Sequence, residues 1–145
     1  MNTQRIAALL LGLFILLVPF HAESWGADWR QFAVTNDDSV YYYDTESIRQ
    51  VSKDTLRIWQ KWDYSPKEVE GYVKKFGEEY LGLEHSIILQ EIDCLERKFK
   101  VLSVTDYRSD DSIIQSLGEE GFEWRYIAPE SVAEGLLKAV CKGRQ

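Results

Sequence analysis

The sequence predicts an α+β fold, in which an antiparallel sheet of about six strands carries a C-terminal helix that is packed on one face and tied to it by a disulfide. Three observations predict it. Several segments alternate apolar and polar residues with the period of two that half-buried strands show. A capping residue, Ser131, opens a last segment with helical spacing. The two cysteines, Cys94 and Cys141, fall on a predicted strand and on that helix.

Residues 1–24 are predicted to be a secretory signal peptide. Arg5 precedes an apolar run from Ile6 to Val18, and small residues follow this run, which is the layout of an export signal. The run has 13 residues, whereas a membrane-spanning helix needs roughly 20. Cleavage is expected near residues 24–27. The remaining chain, residues 25–145, is then expected to form a single domain without a stable membrane span.

The composition limits the classes of partner and the state of the cysteines. The formal net charge is −7 and the basic residues form no stripe, which argues against nucleic acid as a partner. Hydrophobic residues make up 45% of the chain, which is enough for a core. In an oxidising compartment two cysteines usually pair. A disulfide between Cys94 and Cys141 is therefore favoured over two separate buried thiols.

Seven segments are strand candidates, of which about six are expected to form one mostly antiparallel sheet. The alternation is clearest from Thr55 to Tyr64, where Leu56, Ile58 and Trp62 share one face. A tight connection at Leu95–Glu96 predicts a hairpin. Thr45–Arg49 is predicted to be a short helical turn or loop, and Asp106–Ser112 a charged loop. The strand candidates are Trp29–Val34, Val40–Asp44, Thr55–Tyr64, Ser86–Cys94, Arg97–Asp106, Ile113–Leu117 and Phe122–Ile127.

A first helix is predicted to begin after Ser65. The segment fits a capping box, with Ser65 as the N-cap, Pro66 at the first helical position and the side chain of Glu68 reaching back. Apolar residues then recur at helical spacing between Val69 and Tyr80. The helix is expected to weaken or end at Gly77 and Gly82.

A second helix is predicted after Ser131, where Glu134 completes another capping box. Leu137 and Cys141 lie four residues apart on its apolar stripe, so Cys141 is expected on the buried side. Cys94 lies on a mostly apolar strand face. A helix that packs this stripe on the sheet can bring the two cysteines together, which favours an intrachain bridge over a disulfide-linked dimer.

No catalytic constellation is recognisable, so the chain is not expected to be an enzyme. His85 is the one histidine beyond the predicted signal peptide, and no serine lies in a G-x-S-x-G turn. Zinc-ligand spacing, a C-x-x-C-H haem motif and phosphate-binding loops are missing from the sequence. The aspartates of Asp106–Asp111 lack the glycine and the closing glutamate of a calcium loop. We expect no catalytic residue, metal or cofactor, and a hydrolase that uses His85 ranks last.

Two groups of side chains could serve binding. Tyr41–Tyr43 with Trp59 and Trp62 could form an exposed aromatic patch, although core packing on both faces of a sheet is the favoured interpretation. The basic cluster between Arg97 and Lys100 could meet an acidic partner. For this cluster a solvated strand face is favoured.

Short matches to a known family recur in order from Asp28 to Cys141. The matching residues are Trp29, Tyr42-Tyr43-Asp44 with Ser47-Ile48, Leu56-Arg57-Ile58-Trp59, Glu91-Ile92-Asp93-Cys94, Arg97, Leu102-Ser103, Trp124, Ile127, Pro129, Ser131 and Val140-Cys141. With them the chain resembles the surface-adhesin protein E family of Gram-negative bacteria. The resemblance implies an antiparallel sheet whose concave face holds a C-terminal helix through the Cys94–Cys141 disulfide. The segment Ser65–Leu83 is longer and more helical than the connection expected there.

The resemblance also implies a function. It implies an exported protein of the Gram-negative envelope, in the periplasm or at the outer cell surface. There it would be a non-enzymatic binding module that engages protein partners in adhesion or envelope interactions, and it could form a homodimer. The aromatic content motivates an alternative, a periplasmic small-ligand-binding or sensor domain that uses the concave face of the sheet.

Overall fold

A computed structural model describes residues 26–118, 120 and 122–142. In this part of the chain eight strands form one sheet that carries two α-helices. The strands are β1 (Trp29–Val34), β2 (Val40–Asp44), β3 (Arg49–Gln50), β4 (Thr55–Asp63), β5 (Leu83–Asp93), β6 (Lys98–Arg108), β7 (Ile113–Leu117) and β8 (Arg125–Tyr126). The helices are α1 (Pro66–Phe76) and α2 (Val132–Val140), and 3-10 turns lie at Thr45–Ser47 and Glu78–Tyr80.

The sheet is antiparallel throughout, with the strand order β1-β2-β4-β5-β6-β7. The short β3 pairs with β4, and the short β8 pairs with β6. β5 and β6 form the predicted hairpin. Its turn is stabilised by the Asp93 carboxylate, which accepts hydrogen bonds from the backbone N–H groups of Leu95 and Glu96 at 3.0 and 2.8 Å. The predicted α+β fold is confirmed, with two short strands beside the six long ones.

Side-chain alternation gives the sheet a helix face and an open face. On β4, Leu56, Ile58 and Trp62 point to the helix face, as the sequence predicted, whereas Trp59 points to the open face. Both helices lie on the helix face. Helix α2 covers the end near Leu56, and α1 covers the opposite end, near Tyr64.

Helix α2 packs on the sheet through a continuous apolar core. Leu136 and Leu137 are fully buried against a cluster that includes Ile58 of β4. The predicted disulfide joins Cys94 and Cys141 with an S–S distance of 2.05 Å and a Cα–Cα distance of 5.6 Å. Because nine residues are too few for a stable isolated helix, α2 depends on this packing and on the bridge.

Helix α1 begins as predicted, but its capping box is only half formed. The Ser65 side chain accepts a hydrogen bond from the Glu68 backbone N–H at 3.2 Å. The Glu68 side chain does not reach back, because the Ser39 hydroxyl already accepts from the Ser65 N–H at 3.0 Å. The Glu68 carboxylate instead accepts from the Tyr41 hydroxyl at 3.4 Å. The helix ends at Gly77, whose φ of 120° is readily adopted only by glycine.

The second predicted capping box is also half formed. The Ser131 side chain accepts from the Glu134 N–H at 3.2 Å, but the Glu134 carboxylate accepts from the Glu130 N–H at 2.9 Å rather than from Ser131. Arg97 and Lys138 also contact this carboxylate, at 2.8 and 3.1 Å. The Glu130 N–H, then Lys138 and Arg97, lower the pKa of Glu134 below its usual 4.5.

The lowered pKa of Glu134 predicts an acid-sensitive contribution to stability. Since the folded-state pKa lies below the unfolded-state value, this contribution is complete above pH 4.5 and is lost as the pH falls through the folded pKa. We expect Glu134→Gln to unfold at lower urea concentration than the parent at pH 7, and the difference to shrink below pH 4.5. Glu123→Gln, at an exposed position, is the control. A difference that stays constant to pH 3 would contradict the assignment.

Two predicted boundaries at the β6 edge are wrong. β6 continues to Arg108, two residues beyond the predicted strand end at Asp106, so the charged loop starts later than predicted. The reason is that β5 begins at Leu83, which pairs with Arg108, so the ladder between β5 and β6 extends to that residue. Of the predicted strand Phe122–Ile127, only Arg125 and Tyr126 form β8, because only these two residues pair with β6, at Phe99 and Lys98.

The predicted signal peptide, residues 1–24, lies outside the described residues. Among those that are described, neither helix has the length or the apolar character needed to cross a membrane.

Candidate binding site beneath helix α1

Aromatic rings fill the space between α1 and the sheet. The Tyr72 ring, from α1, lies 5.1 Å from Tyr64, 5.5 Å from Phe76 and 5.6 Å from Tyr80, measured between centroids. These distances suit favourable aromatic pairs. Tyr72 and Phe76 are four residues apart and therefore share one side of the helix. No residue of α1 is buried, and 48% of Phe76 is exposed. α1 thus rests on the sheet through rings at the protein surface.

Beneath these rings a chain of hydroxyl groups leads to a buried carboxylate. Asp106 is only 3% exposed, and it accepts a short hydrogen bond from the Ser86 hydroxyl. Since a carboxylate only accepts, the Ser86 proton is committed to it. The Tyr64 hydroxyl must then donate to Ser86 at 2.8 Å, and the Tyr72 hydroxyl donates to Tyr64 at 3.4 Å. Every hydroxyl proton in the chain therefore points inward, towards Asp106.

Gln115 of β7 completes the network from the other side. Its amide nitrogen donates to the Asp106 carboxylate at 2.7 Å and makes a short hydrogen bond to the Tyr80 hydroxyl. Among the described residues Asp106 has no ion-pair partner. Hydrogen bonds from Ser86 and Gln115 therefore compensate its desolvation.

The tyrosines of the network remain protonated at physiological pH. Burial raises the pKa of Tyr64 well above its ordinary value, and the neighbouring Tyr72 adds to the effect. Burial also raises the pKa of Tyr72 and of Tyr80, the latter with help from the Asp106 charge. Tyr64 and Tyr72 therefore keep the protons that they donate along the chain, and the Tyr80 hydroxyl stays neutral where it accepts from Gln115.

A cavity of about 330 Å³ lies against the same helix. Its lining residues follow helical spacing along one side of α1: Glu68, Gly71, Tyr72, Lys75 and Phe76. The ammonium of Lys75 lies over the Phe76 ring, 4.9 Å from its centroid. A carboxylate and two aromatic rings thus line one side of an open space, and one of these rings, Tyr72, is connected to the buried Asp106.

Comparison with known proteins places the chain in a family. The sequence model of the family described as surface-adhesin protein E matches residues 29–142. The chain belongs to the surface-adhesin protein E family. None of the curated protein sequences matches it.

The fold agrees with that of a solved relative. The selenomethionine form of protein E from Haemophilus influenzae has 13% sequence identity and a TM-score of 0.50, with 81% of this chain and 92% of that chain covered. Crystal form II of the same protein has 14% identity and a TM-score of 0.47, with 70% and 79% covered. At this identity the first match shows the fold alone.

In this member of the family the predicted aromatic patch is divided between the two faces. Tyr41 and Tyr43 are buried on the helix face, and Trp62 contacts Tyr41 at 5.3 Å between ring centroids. Tyr42 and Trp59 lie on the open face, where 37% of Trp59 is exposed. Core packing is therefore observed for Tyr41 and Tyr43 on the helix face, whereas Trp59 on the open face is exposed.

The basic cluster serves structural contacts. Arg97 donates to Glu134 of α2 at 2.8 Å, and the ammonium of Lys98 lies over the Tyr126 ring, 4.6 Å from its centroid. Lys100 is half-buried and lies opposite Glu91 in the β5–β6 register. The favoured interpretation, a strand face rather than a binding site, agrees with these contacts.

His85 lies on the open face, away from the hydroxyl network. Its ring stacks on Tyr107 with centroids 5.0 Å apart and an angle of 14° between the ring planes. Its Nδ1 atom is 3.4 Å from the Glu84 carboxylate. Among residues 26–118, 120 and 122–142, no three His, Cys, Asp or Glu residues cluster so as to hold a metal ion.

Sequence reasoning missed the role of Asp106. The signal was present, because Leu102, Val104 and Asp106 alternate along one strand and an acidic residue continues the apolar positions. Its partners on β5 and β7 could not be identified without the strand register. The connection of this network to α1 through Tyr64 and Tyr72 depends on the same register.

The network makes a prediction for stability. Asp106→Ala removes the acceptor for the buried Ser86 hydroxyl and for the half-buried Gln115 amide, so we expect a loss of about 2 kcal/mol in the free energy of unfolding. Asp106→Asn, which keeps an acceptor oxygen and the shape, should lose roughly half as much. Urea unfolding monitored by tryptophan fluorescence measures both. An alanine variant as stable as the parent would show that the network contributes nothing.

Proposed function

We propose that this protein is an exported protein of the Gram-negative envelope, in the periplasm or at the outer cell surface, and that it is a non-enzymatic module that binds protein partners. The observation that carries the proposal is membership of the surface-adhesin protein E family over residues 29–142. Two features of the fold support it. Both helices of the described part of the chain lie on one face of the sheet, which leaves the other face open, and the site beside α1 opens at the surface.

The proposal includes a signal peptide at residues 1–24 and one domain at residues 25–145. The single sheet, whose first strand starts at Trp29 and whose last ends at Tyr126, supports a single domain. N-terminal sequencing of the protein recovered from the envelope is expected to find a start between residues 25 and 28. Recovery of a chain that still begins at Met1 would contradict the proposal.

Partner binding is tested on intact cells. A photoreactive amino acid is placed singly at three exposed positions: Phe76 in the α1 site, Trp59 on the open face, and Tyr126 at the opposite end of the sheet. Light-dependent adducts with one protein from one position, and not from the others, would support a specific interface. A homodimer would give adducts of twice the mass of the chain. No protein adduct from any position would count against the proposal.

A small-ligand-binding function is the second candidate, and the cavity favours it. Its volume of about 330 Å³ is at the lower end of the range for small-molecule sites, and the space is open to solvent on one side of α1. This candidate differs in place from the sequence-based alternative, since the sheet under α2 is filled by Leu136, Leu137 and their core neighbours. A defined small molecule that co-purifies from the envelope and is lost from Phe76→Ala would favour it.

A further inference from the structure

We propose that the cavity beside α1 binds an alkylammonium group, such as the end of a lysine side chain. The inference deepens the proposed function by naming the chemical group that the site would bind. It rests on the proposed function only for the molecule that carries this group, which would be a partner protein or a small amine. Four observations on the molecule lead to it: an open space bounded by aromatic rings, an uncompensated carboxylate, the polarity of the hydroxyl chain, and the distribution of charge.

The shape of the cavity depends on a glycine. A Cβ atom built on Gly71 meets no atom within 4 Å in the described part of the chain, so the space above this residue is open. Tyr72 and Phe76 border that space, since they lie one and five residues along the same helix. Aromatic faces attract cations through the ring quadrupole, and an apolar wall suits the methylene stem of a lysine.

Glu68 supplies the charge. Its carboxylate is half-buried and receives only the Tyr41 hydroxyl, at 3.4 to 3.5 Å, among the side chains that are described. Glu70 on the same helix is different, because Lys74 pairs with it at 2.6 Å. The capping role that the sequence predicted for Glu68 is taken by Ser39. Glu68 is thus left with an acceptor group directed at the cavity and the sheet beneath it.

The hydroxyl chain favours a donor as ligand. The Tyr72 hydroxyl donates its proton inward to Tyr64, and the chain ends on the Asp106 carboxylate. Within the described residues the Tyr72 oxygen accepts no hydrogen bond, so its lone pairs are left for a donor such as an ammonium. An anion would meet Glu68 and the oxygen side of this dipole, and would be repelled.

The charge of the whole molecule is concentrated at this end. The turn between β1 and β2, the segment from the end of β4 to the start of β5, and the turn between β6 and β7 lie at the same end of the sheet. In residues 35–39, 61–84 and 105–112 there are eleven acidic and five basic residues, a net charge of −6 against −7 for the entire chain. This field attracts a cation before it makes contact.

The position of Lys75 shows that the face of the Phe76 ring accepts a cation, and it also means that Lys75 competes with a ligand for this face. Its ammonium already lies over Phe76, and a ligand ammonium would have to displace it. Lys75 is exposed, so the displacement leaves it solvated. Removal of the Lys75 charge should therefore strengthen binding, whereas removal of the Glu68 charge should weaken it.

The test is a titration of the isotope-labelled protein with N-acetyl-lysine amide, followed by the NMR resonances of Gly71 and Tyr72. We expect saturable shifts, weaker at high salt, and none with N-acetyl-norleucine amide, the uncharged analogue. Glu68→Gln should weaken binding roughly tenfold, and Lys75→Gln should strengthen it about threefold. The matched controls Glu70→Gln and Lys74→Gln, on the outer side of the same helix, should bind as the parent does.

Each outcome decides the inference. Equal shifts with the norleucine analogue, or no saturable shift with either probe, would overturn it. Folding is checked by circular dichroism, and because Lys75→Gln should gain affinity, a general loss of structure cannot imitate the pattern. An alanine-rich peptide with a single lysine, compared with putrescine, distinguishes a protein source from a free amine. If the lysine probe does not bind in the titration but specific photo-adducts form on cells, only the cation site is rejected. If the probe binds but no photo-adducts form, only the proposed partner function is rejected.

Discussion

Replacement of both Cys94 and Cys141 by alanine is expected to lower the free energy of unfolding by about 4 kcal/mol. The bridge joins residues 47 apart, and constraint of a loop of that length in the unfolded chain stabilises the folded state by about this amount. For a domain of this size the melting temperature should fall by about 15 °C. Alanine is the appropriate replacement, since both sulfurs are buried and a serine hydroxyl would lack a partner.

The control for this prediction is the parent protein after reduction. Reduction keeps both sulfur atoms in the core, so it removes the loop constraint without the loss of volume that alanine causes. We expect the reduced parent and the alanine variant to melt within a few degrees of one another. A variant that melts within about 3 °C of the oxidised parent would show that the bridge is dispensable.

The helix face and the place of Cys141 on it could be predicted because their signals are local, whereas the pairing of Cys141 with Cys94 rested on the expected oxidising compartment and on the family resemblance. The period of two in β4 assigns Leu56 and Ile58 to one face whatever the strand pairs with. The spacing of four in α2 places Leu137 and Cys141 on one stripe. These regularities depend on backbone geometry and not on distant neighbours, so the sequence contains them in full.

The capping boxes show where local signals end. Ser65 and Ser131 both cap their helices as predicted, because an N-cap bond joins residues three apart. In neither helix does the glutamate side chain accept a hydrogen bond from the backbone N–H of the capping serine, which is the second bond of a capping box. At α1 the Ser65 N–H donates to Ser39, which lies 26 residues away in sequence. Such competition by tertiary contacts is invisible until the strands are paired.

The candidate site could not be predicted for the same reason. The sequence indicated that α1 is amphipathic, but it could not show that Glu68 would be released from capping. Nor could it show that Tyr72 would join Asp106 through Tyr64, just after β4, and Ser86 of β5. The one local signal of such a network is a charged residue at a strand position where the alternating pattern calls for an apolar residue, and Asp106 is at such a position.

Leu136→Ala is expected to lower the free energy of unfolding by about 3 to 5 kcal/mol. The side chain is fully buried in the core between α2 and the sheet, so its loss removes apolar contacts and leaves a cavity that the surroundings fill only in part. The matched control is Leu95→Ala in the β5–β6 turn, where 62% of the leucine is exposed. The same chemical change should cost less than about 0.5 kcal/mol there. Urea unfolding measures both variants.

The two changes act on one element, so their combination is informative. Helix α2 has nine residues and is retained by its leucines and by the bridge. If the two losses add, the triple variant loses about 7 to 9 kcal/mol, which is comparable with the whole stability of a small domain. We therefore expect it not to fold cooperatively, and its Trp fluorescence to show no sigmoidal urea transition. A cooperative transition near that of the single variants would show that α2 contributes far less than its burial indicates.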